Sequence, residues 1–211
     1  MSIELHILNA PGRLTGQVRR ITRSFKATAA RVRLLLPVDT IDVVVQAVAS
    51  LTIEETGVGG FSPTAELSFI YLNPSHERFP QSIDDEVGPI MAHELMHCAR
   101  WGGPGYGTTL GEALVSEGLA LHFETLFRSC LPIYARANDE ARFDELVSLA
   151  RVEFDAKNYN HTDWFMGSHA RAIPKYAGYA IGFHIVGRAL DVLRCSVSDA
   201  CRRPASDFLT V

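Results

Sequence analysis

Two histidines four residues apart, His93 and His97, enclose Glu94 in an H-E-x-x-H pattern, within a stretch of helical character over residues 90–101. Residues four apart in an α-helix lie about 40° apart around the axis and one turn along it. The two imidazoles therefore face the same way and can pinch one metal ion. Glu94 lies beside them, where it can reach a water on that metal without being a ligand. With 8 His in 211 residues, chance supplies roughly 0.02 copies of the pattern, so two unrelated helical histidines are the weaker reading.

Catalytic zinc usually takes three protein ligands and keeps a fourth position open, so a third ligand is expected downstream. Gly three residues after His97 and His three further on would be one solution, but those positions hold Arg100 and Gly103. No Asp occurs between Asp85 and Asp139, and the first cysteine, Cys98, follows the motif rather than preceding it. Glutamate remains, at Glu112, Glu117 or Glu124. Glu117 follows His97 by 20 residues, enough for one helix to end, reverse and pack back as a second. The reversal is written as Gly102-Gly103-Pro104-Gly105-Tyr106-Gly107, and Thr108 or Thr109 can cap the helix after it.

Residues 116–124, S-E-G-L-A-L-H-F-E, resemble the N-E-G-F-A-x-x-x-E stretch of the gluzincin metallopeptidases. The resemblance implies that Glu117 is the third zinc ligand. It also implies that Glu124, two turns further on the same face, supports a ligand from the outer shell. Ser116 stands where that family usually has Asn, and His122 where it often has Tyr. Leu121 stands where the thermolysin-like branch has an acid, so that branch fits poorly. Residues 178–183, G-Y-A-I-G-F, are similar to the G-Y-x-x-G-[YF] segment of some gluzincin oligopeptidases, in which a tyrosine hydroxyl donates to the oxyanion. That similarity implies Tyr179 as the donor, with Tyr176 and His184 as fallbacks. The competing reading is a helix whose Gly178 and Gly182 merely permit close packing. From about residue 65 to about residue 190, including W-F-M-G at 164–167, the chain resembles a small bacterial family of predicted zinc-dependent proteases. This implies a gluzincin fold and peptide-bond hydrolysis, and no particular substrate.

Composition limits the alternatives. A chain of 211 residues that is 47% hydrophobic and 21% charged suits one soluble globular domain, 1–211. A net charge of −4 gives no reason to expect nucleic acid or an anionic membrane as a partner. No basic region followed by an apolar stretch opens the chain, so no secretory signal is expected. No apolar run approaches the ~20 residues that span a bilayer. Cys98, Cys130, Cys195 and Cys201 match neither zinc-knuckle nor redox spacing. Buried thiols in a reducing cytoplasm are expected, and a Cys195–Cys201 disulfide is the alternative for an exported protein.

Periodicity predicts a helix over 15–35, ended by Pro37, and strands over 43–48 and 66–72. Residues 57–63 read as a loop or hairpin connection. If the strand over 66–72 lies at the sheet edge beside the motif helix, substrate backbone would dock on it. Pro89 clashes inside a helix, so the motif helix is expected to begin near Gly88. Helices follow over 109–127, 139–155 and 175–193. Residues 157–173 read as irregular, with His161 and His169 at the surface, and the tail from Cys195 as polar and weakly packed.

The expected fold is α+β and zincin-like: a small twisted sheet with the active-site helix, then a mainly helical C-terminal half. The expected activity is zinc-dependent hydrolysis of peptide bonds in a peptide or protein substrate. One Zn2+ per chain would be held by His93, His97 and Glu117, Glu94 would activate the zinc-bound water, and Tyr179 would stabilise the oxyanion. Two other readings stay open: a zinc-binding regulatory or interaction protein without turnover, and a zinc hydrolase of a non-peptide amide.

Overall fold

The structure is a computed structural model that describes residues 2–136 and 142–210. The chain is α+β, with a small four-stranded sheet. Its contacts divide it into two compact units, Met1–Gly102 with Leu126–Arg128, and Gly103–Thr125 with Ser129–Val211.

The first unit runs β1 (Ile3–Leu8), α1 (Val18–Leu35), β2 (Ile41–Ala47), β3 (Val58–Phe61), β4 (Leu67–Leu72) and α2 (Gln81–Trp101). Its strands lie in the order β1-β2-β4-β3. β1 and β2 are parallel, Ile3 opposite Ile41, and α1 is the crossover such a pair requires. β2 and β4 are parallel, and β3 returns antiparallel to β4 with Val58 opposite Leu72. Ile41, Val43 and Val45 are buried at every second position of β2, facing one core with Ile70 and Leu72. α1 buries Ile21, Phe25, Ala29 and Val32, steps of four, four and three that mark one face of an amphipathic helix. Each such aliphatic side chain contributes about 1.5–3 kcal/mol when taken fully out of water.

Two expectations for this unit are corrected, and one element is new. The motif helix begins at Gln81, not near Gly88, so Pro89 lies inside it. Side chains that anchor the early turns offset the proline's missing N–H: Arg20 and Arg23 pair with Asp84, Arg78 with Asp85, and Arg128 with Glu86. The strand over 66–72 is internal, flanked by β2 and β3, and the edges are β1 and β3, the latter in a segment expected as connection. β1 is an additional strand, with Ile3, Leu5 and Ile7 alternating against Glu4 and His6.

The second unit is helical: α3 (Leu110–Thr125), α4 (Phe143–Val152), α5 (His161–Phe165), α6 (Ala177–Leu193), α7 (Val197–Ala200) and α8 (Ser206–Leu209). α3 packs chiefly on α6. A β-carbon on Gly118 would lie 2.2 Å from the Gly182 carbonyl oxygen, and one on Gly182 would lie 2.2 Å from that of Leu114. The two helices thus meet backbone to backbone. Of the helix expected over 139–155, the described part is Phe143–Val152, and residues 139–141 lie outside the described residues. The tail is better packed than expected: Val197, Ala200, Cys201 and Phe208 are buried, because α7 and α8 present small apolar faces to α3 and α6. All four cysteines are free thiols, Cys98 and Cys201 buried, Cys130 exposed. Among the described residues no helix is long and apolar enough to cross a membrane.

Candidate functional site

α2 carries His93, Glu94 and His97, which are 7%, 6% and 7% exposed. One helical turn places the His93 and His97 Nε2 atoms 3.2 Å apart, with ring planes at 73°. Two nitrogens bound at ~2.0–2.1 Å to a tetrahedral zinc stand about 3.3 Å apart. The imidazole pair therefore already has the bite that a zinc ion requires, and its donor type suits zinc.

Glu94 is fixed from β3 and the loop after it. Ser62 Oγ donates to the Glu94 carbonyl oxygen at 3.0 Å, and Trp101 Nε1 donates to the Ser62 carbonyl at 3.0 Å, which ties two turns of the motif helix to the residue after β3. Gly60 backs directly on the Glu94 carboxylate, where a β-carbon would lie 2.5 Å from Oε1. Cys98, the neighbour of His97, is buried, and burial first, with Glu94 and Glu66 adding to it and a Ser62 hydrogen bond opposing, pushes its thiol up to about 12.

In the second unit Glu117 is buried on α3. Tyr106 donates its hydroxyl to Glu117 Oε1 at 2.8 Å. Burial above all, and then the charge of Glu117, raise the Tyr106 hydroxyl well above its ordinary range, so it stays protonated and a donor. Tyr159 is raised by burial and by Glu117, and its hydroxyl lies 3.2 Å from His161 Nδ1. The imidazole of His161 stacks on Phe165, and burial lowers its pKa while Glu117 opposes the change. Tyr106 thus bonds Glu117 directly, and Tyr159 and His161 lie near enough to feel its charge. The sequence reading missed Tyr106 and Tyr159. The available signal for Tyr106 was an aromatic residue held between two glycines of the reversal.

Tyr179 lies near enough to Tyr106 to add to the rise of its hydroxyl pKa, and the remaining candidates have the following surroundings. Glu112 accepts from the Thr108 and Thr109 amides at 2.7 and 3.0 Å, and Thr109 Oγ1 accepts from the Glu112 amide at 3.3 Å, a capping box that starts α3. These bonds, the Thr108 amide foremost, hold the Glu112 carboxyl below its usual range. Glu124 is fully buried and accepts from the Tyr134 hydroxyl at 2.6 Å. Tyr179 is half-buried in an aromatic cluster with Phe165, Tyr134 and Tyr176, at ring distances of 4.9, 5.6 and 6.0 Å. Tyr176 is buried at the N-terminus of α6, with Lys175 Nζ 4.7 Å above its ring. His184 is exposed and meets the Phe143 ring at 5.3 Å. It lies five residues from Tyr179, about 140° around the helix, so the two do not share a face.

Comparison with known proteins agrees with this chemistry. The uncharacterized protein YjfC of Bacillus subtilis (strain 168) is 22% identical over 170 residues, covering 74% of this chain. The chain spans about half, 55%, of the length of that relative. No solved structure matches the chain. The family model described as predicted Zn-dependent protease (DUF2268) matches residues 12–210, and the chain belongs to that family.

Proposed function

We propose that the protein hydrolyses peptide bonds with one zinc ion held by His93, His97 and Glu117. Each offers one ligand atom, two imidazole nitrogens and a carboxylate oxygen. The 3.2 Å separation of the two Nε2 atoms, with Glu94 beside them, carries this reading. Three such ligands leave one position of a tetrahedral ion open.

Zinc held by His93, His97 and Glu117 would polarise the scissile carbonyl and lower the pKa of water toward ~7. Glu94 accepts the proton of the attacking water on its carboxylate and afterwards delivers it to the leaving amine. Gly60 leaves that carboxylate the space it needs. The Tyr179 hydroxyl donates to the oxygen that gains charge as the carbonyl is attacked. An extended substrate would run along β3, the edge strand next to the helix that bears Glu94.

Metal analysis and proteolysis of a peptide library, read by mass spectrometry, test this. Wild type is expected to hold about one zinc per chain and to cleave. Glu94→Gln keeps the metal and loses turnover, and Glu117→Ala loses zinc. Cleavage at the wild-type rate by Glu94→Gln would reject the mechanism, and undiminished zinc in Glu117→Ala would reject the ligand set.

A further inference from the structure

The Tyr106–Glu117 hydrogen bond has a consequence for the metal that rests on the reading of Glu117 as a ligand. A carboxylate that binds zinc through one oxygen still rotates about its last bond unless the other oxygen is held. Tyr106 holds Oε1 at 2.8 Å from within the same unit. We propose that Tyr106 is a positioning residue that orients Glu117 and directs its second oxygen to the metal.

The local fold supports this role. Tyr106 sits between Gly105 (φ 75°) and Gly107 (φ 99°), a left-handed backbone on either side that side-chain-bearing residues rarely adopt. A β-carbon at Gly107 would also meet Glu112 Cβ at 2.2 Å. Glu112 in turn takes the amides of Thr108 and Thr109, which anchors the end of the reversal to the first turn of α3. Glu117 follows on that helix. The donor and the acceptor are thus carried on one short, tied stretch of chain, and their geometry is set before any metal binds. Groups that hydrogen-bond a metal ligand from outside typically change metal affinity 10–100-fold when removed.

Zinc affinity, measured by chelator competition on the full chain, tests the proposal with no reference to activity. The proteins are wild type, Tyr106→Phe, Glu117→Ala and the double variant, with melting of each metal-free form alongside. Tyr106→Phe is expected to bind zinc about 10–100-fold more weakly with metal-free melting little changed. Glu117→Ala is expected to lose more, and Tyr106→Phe to cost nothing further in that background, because the two act through one bond. Wild-type affinity in Tyr106→Phe, with affinity lost in Glu117→Ala, overturns the proposal and leaves Glu117 a ligand. Undiminished affinity in Glu117→Ala overturns both. Failure of metal-free Tyr106→Phe to fold would make the hydroxyl a structural prop and would also overturn the positioning role.

Discussion

A β-carbon at position 60 would lie 2.5 Å from Glu94 Oε1 and 2.5 Å from its Cγ, so Gly60 and the Glu94 side chain share one space. No carbon approaches a carboxylate oxygen that closely. Gly60→Ala must therefore displace either the edge strand or the carboxylate, and the carboxylate is the softer of the two. A base displaced by about 1 Å costs on the order of 10²-fold in rate. The expected outcome is a drop of that size in kcat, with zinc content and far-ultraviolet circular dichroism preserved. Wild-type kcat in Gly60→Ala would show that Glu94 does not need this position.

The contact of α3 with α6 leads to a stability prediction. With carbonyl oxygens 2.2 Å from the sites of new β-carbons, Gly118→Ala and Gly182→Ala each force the helices apart. Overpacking of this kind typically costs about 1–3 kcal/mol. The double variant should cost less than the sum, because one separation relieves both clashes. Urea unfolding of the three variants measures this. Strictly additive losses would mean that each glycine is needed for a separate reason.

Much of the first unit was legible in the sequence, because one-sided burial leaves a period. α1, β2 and β4 lie within three residues of the bounds that their composition and patterning predict. The true start of α2 was hidden, because Pro89 argues locally against a helix that tertiary ion pairs at Asp84, Asp85 and Glu86 stabilise. β3 was hidden for a related reason: in Val58-Gly59-Gly60-Phe61 the glycines read as turn chemistry. They are there because Leu51 and Glu94 press against the strand, leaving no room for side chains. At the candidate site the spacing of His93 and His97 needed only helix geometry, which residue identity supplies. The Tyr106–Glu117 bond needed the path of a six-residue reversal, which it does not.

Glu112 gives the protein a pH-dependent element outside the reacting groups. Its carboxyl is held below the usual range by the amides of Thr108 and Thr109. A depressed folded-state pKa stabilises the fold above the unfolded value of ~4.3 and loses that contribution as pH falls through the folded value. Glu112→Gln, which keeps the shape but not the charge, should therefore be less stable than wild type at pH 7, by about 0.5–1 kcal/mol for a partly exposed cap. The difference should shrink below about pH 4, as the wild-type carboxyl becomes protonated. Denaturant titrations at both pH values check the sign, and a gap that widens in acid would contradict the capping role.

Tyr179 divides into two roles that one substitution separates. Its ring packs edge-on to Phe165 at 4.9 Å and against Tyr134 at 5.6 Å, and Tyr179→Phe keeps those contacts while deleting the hydroxyl. If the hydroxyl stabilises the oxyanion, kcat falls about 10²–10³-fold with zinc content and melting temperature unchanged. If the residue only fills the aromatic cluster, the rate is kept, and Tyr179→Ala is the variant that loses stability. Tyr176→Phe and His184→Gln belong in the same assay. His184 points about 140° around α6 from Tyr179 and rests on Phe143. Those two residues therefore cannot both face one reacting carbonyl without a rotation of α6, which the close crossing at Gly118 and Gly182 resists. A rate loss in His184→Gln with none in Tyr179→Phe would move the donor to the other face of the helix. Losses of similar size in both would require that α6 turn during the reaction.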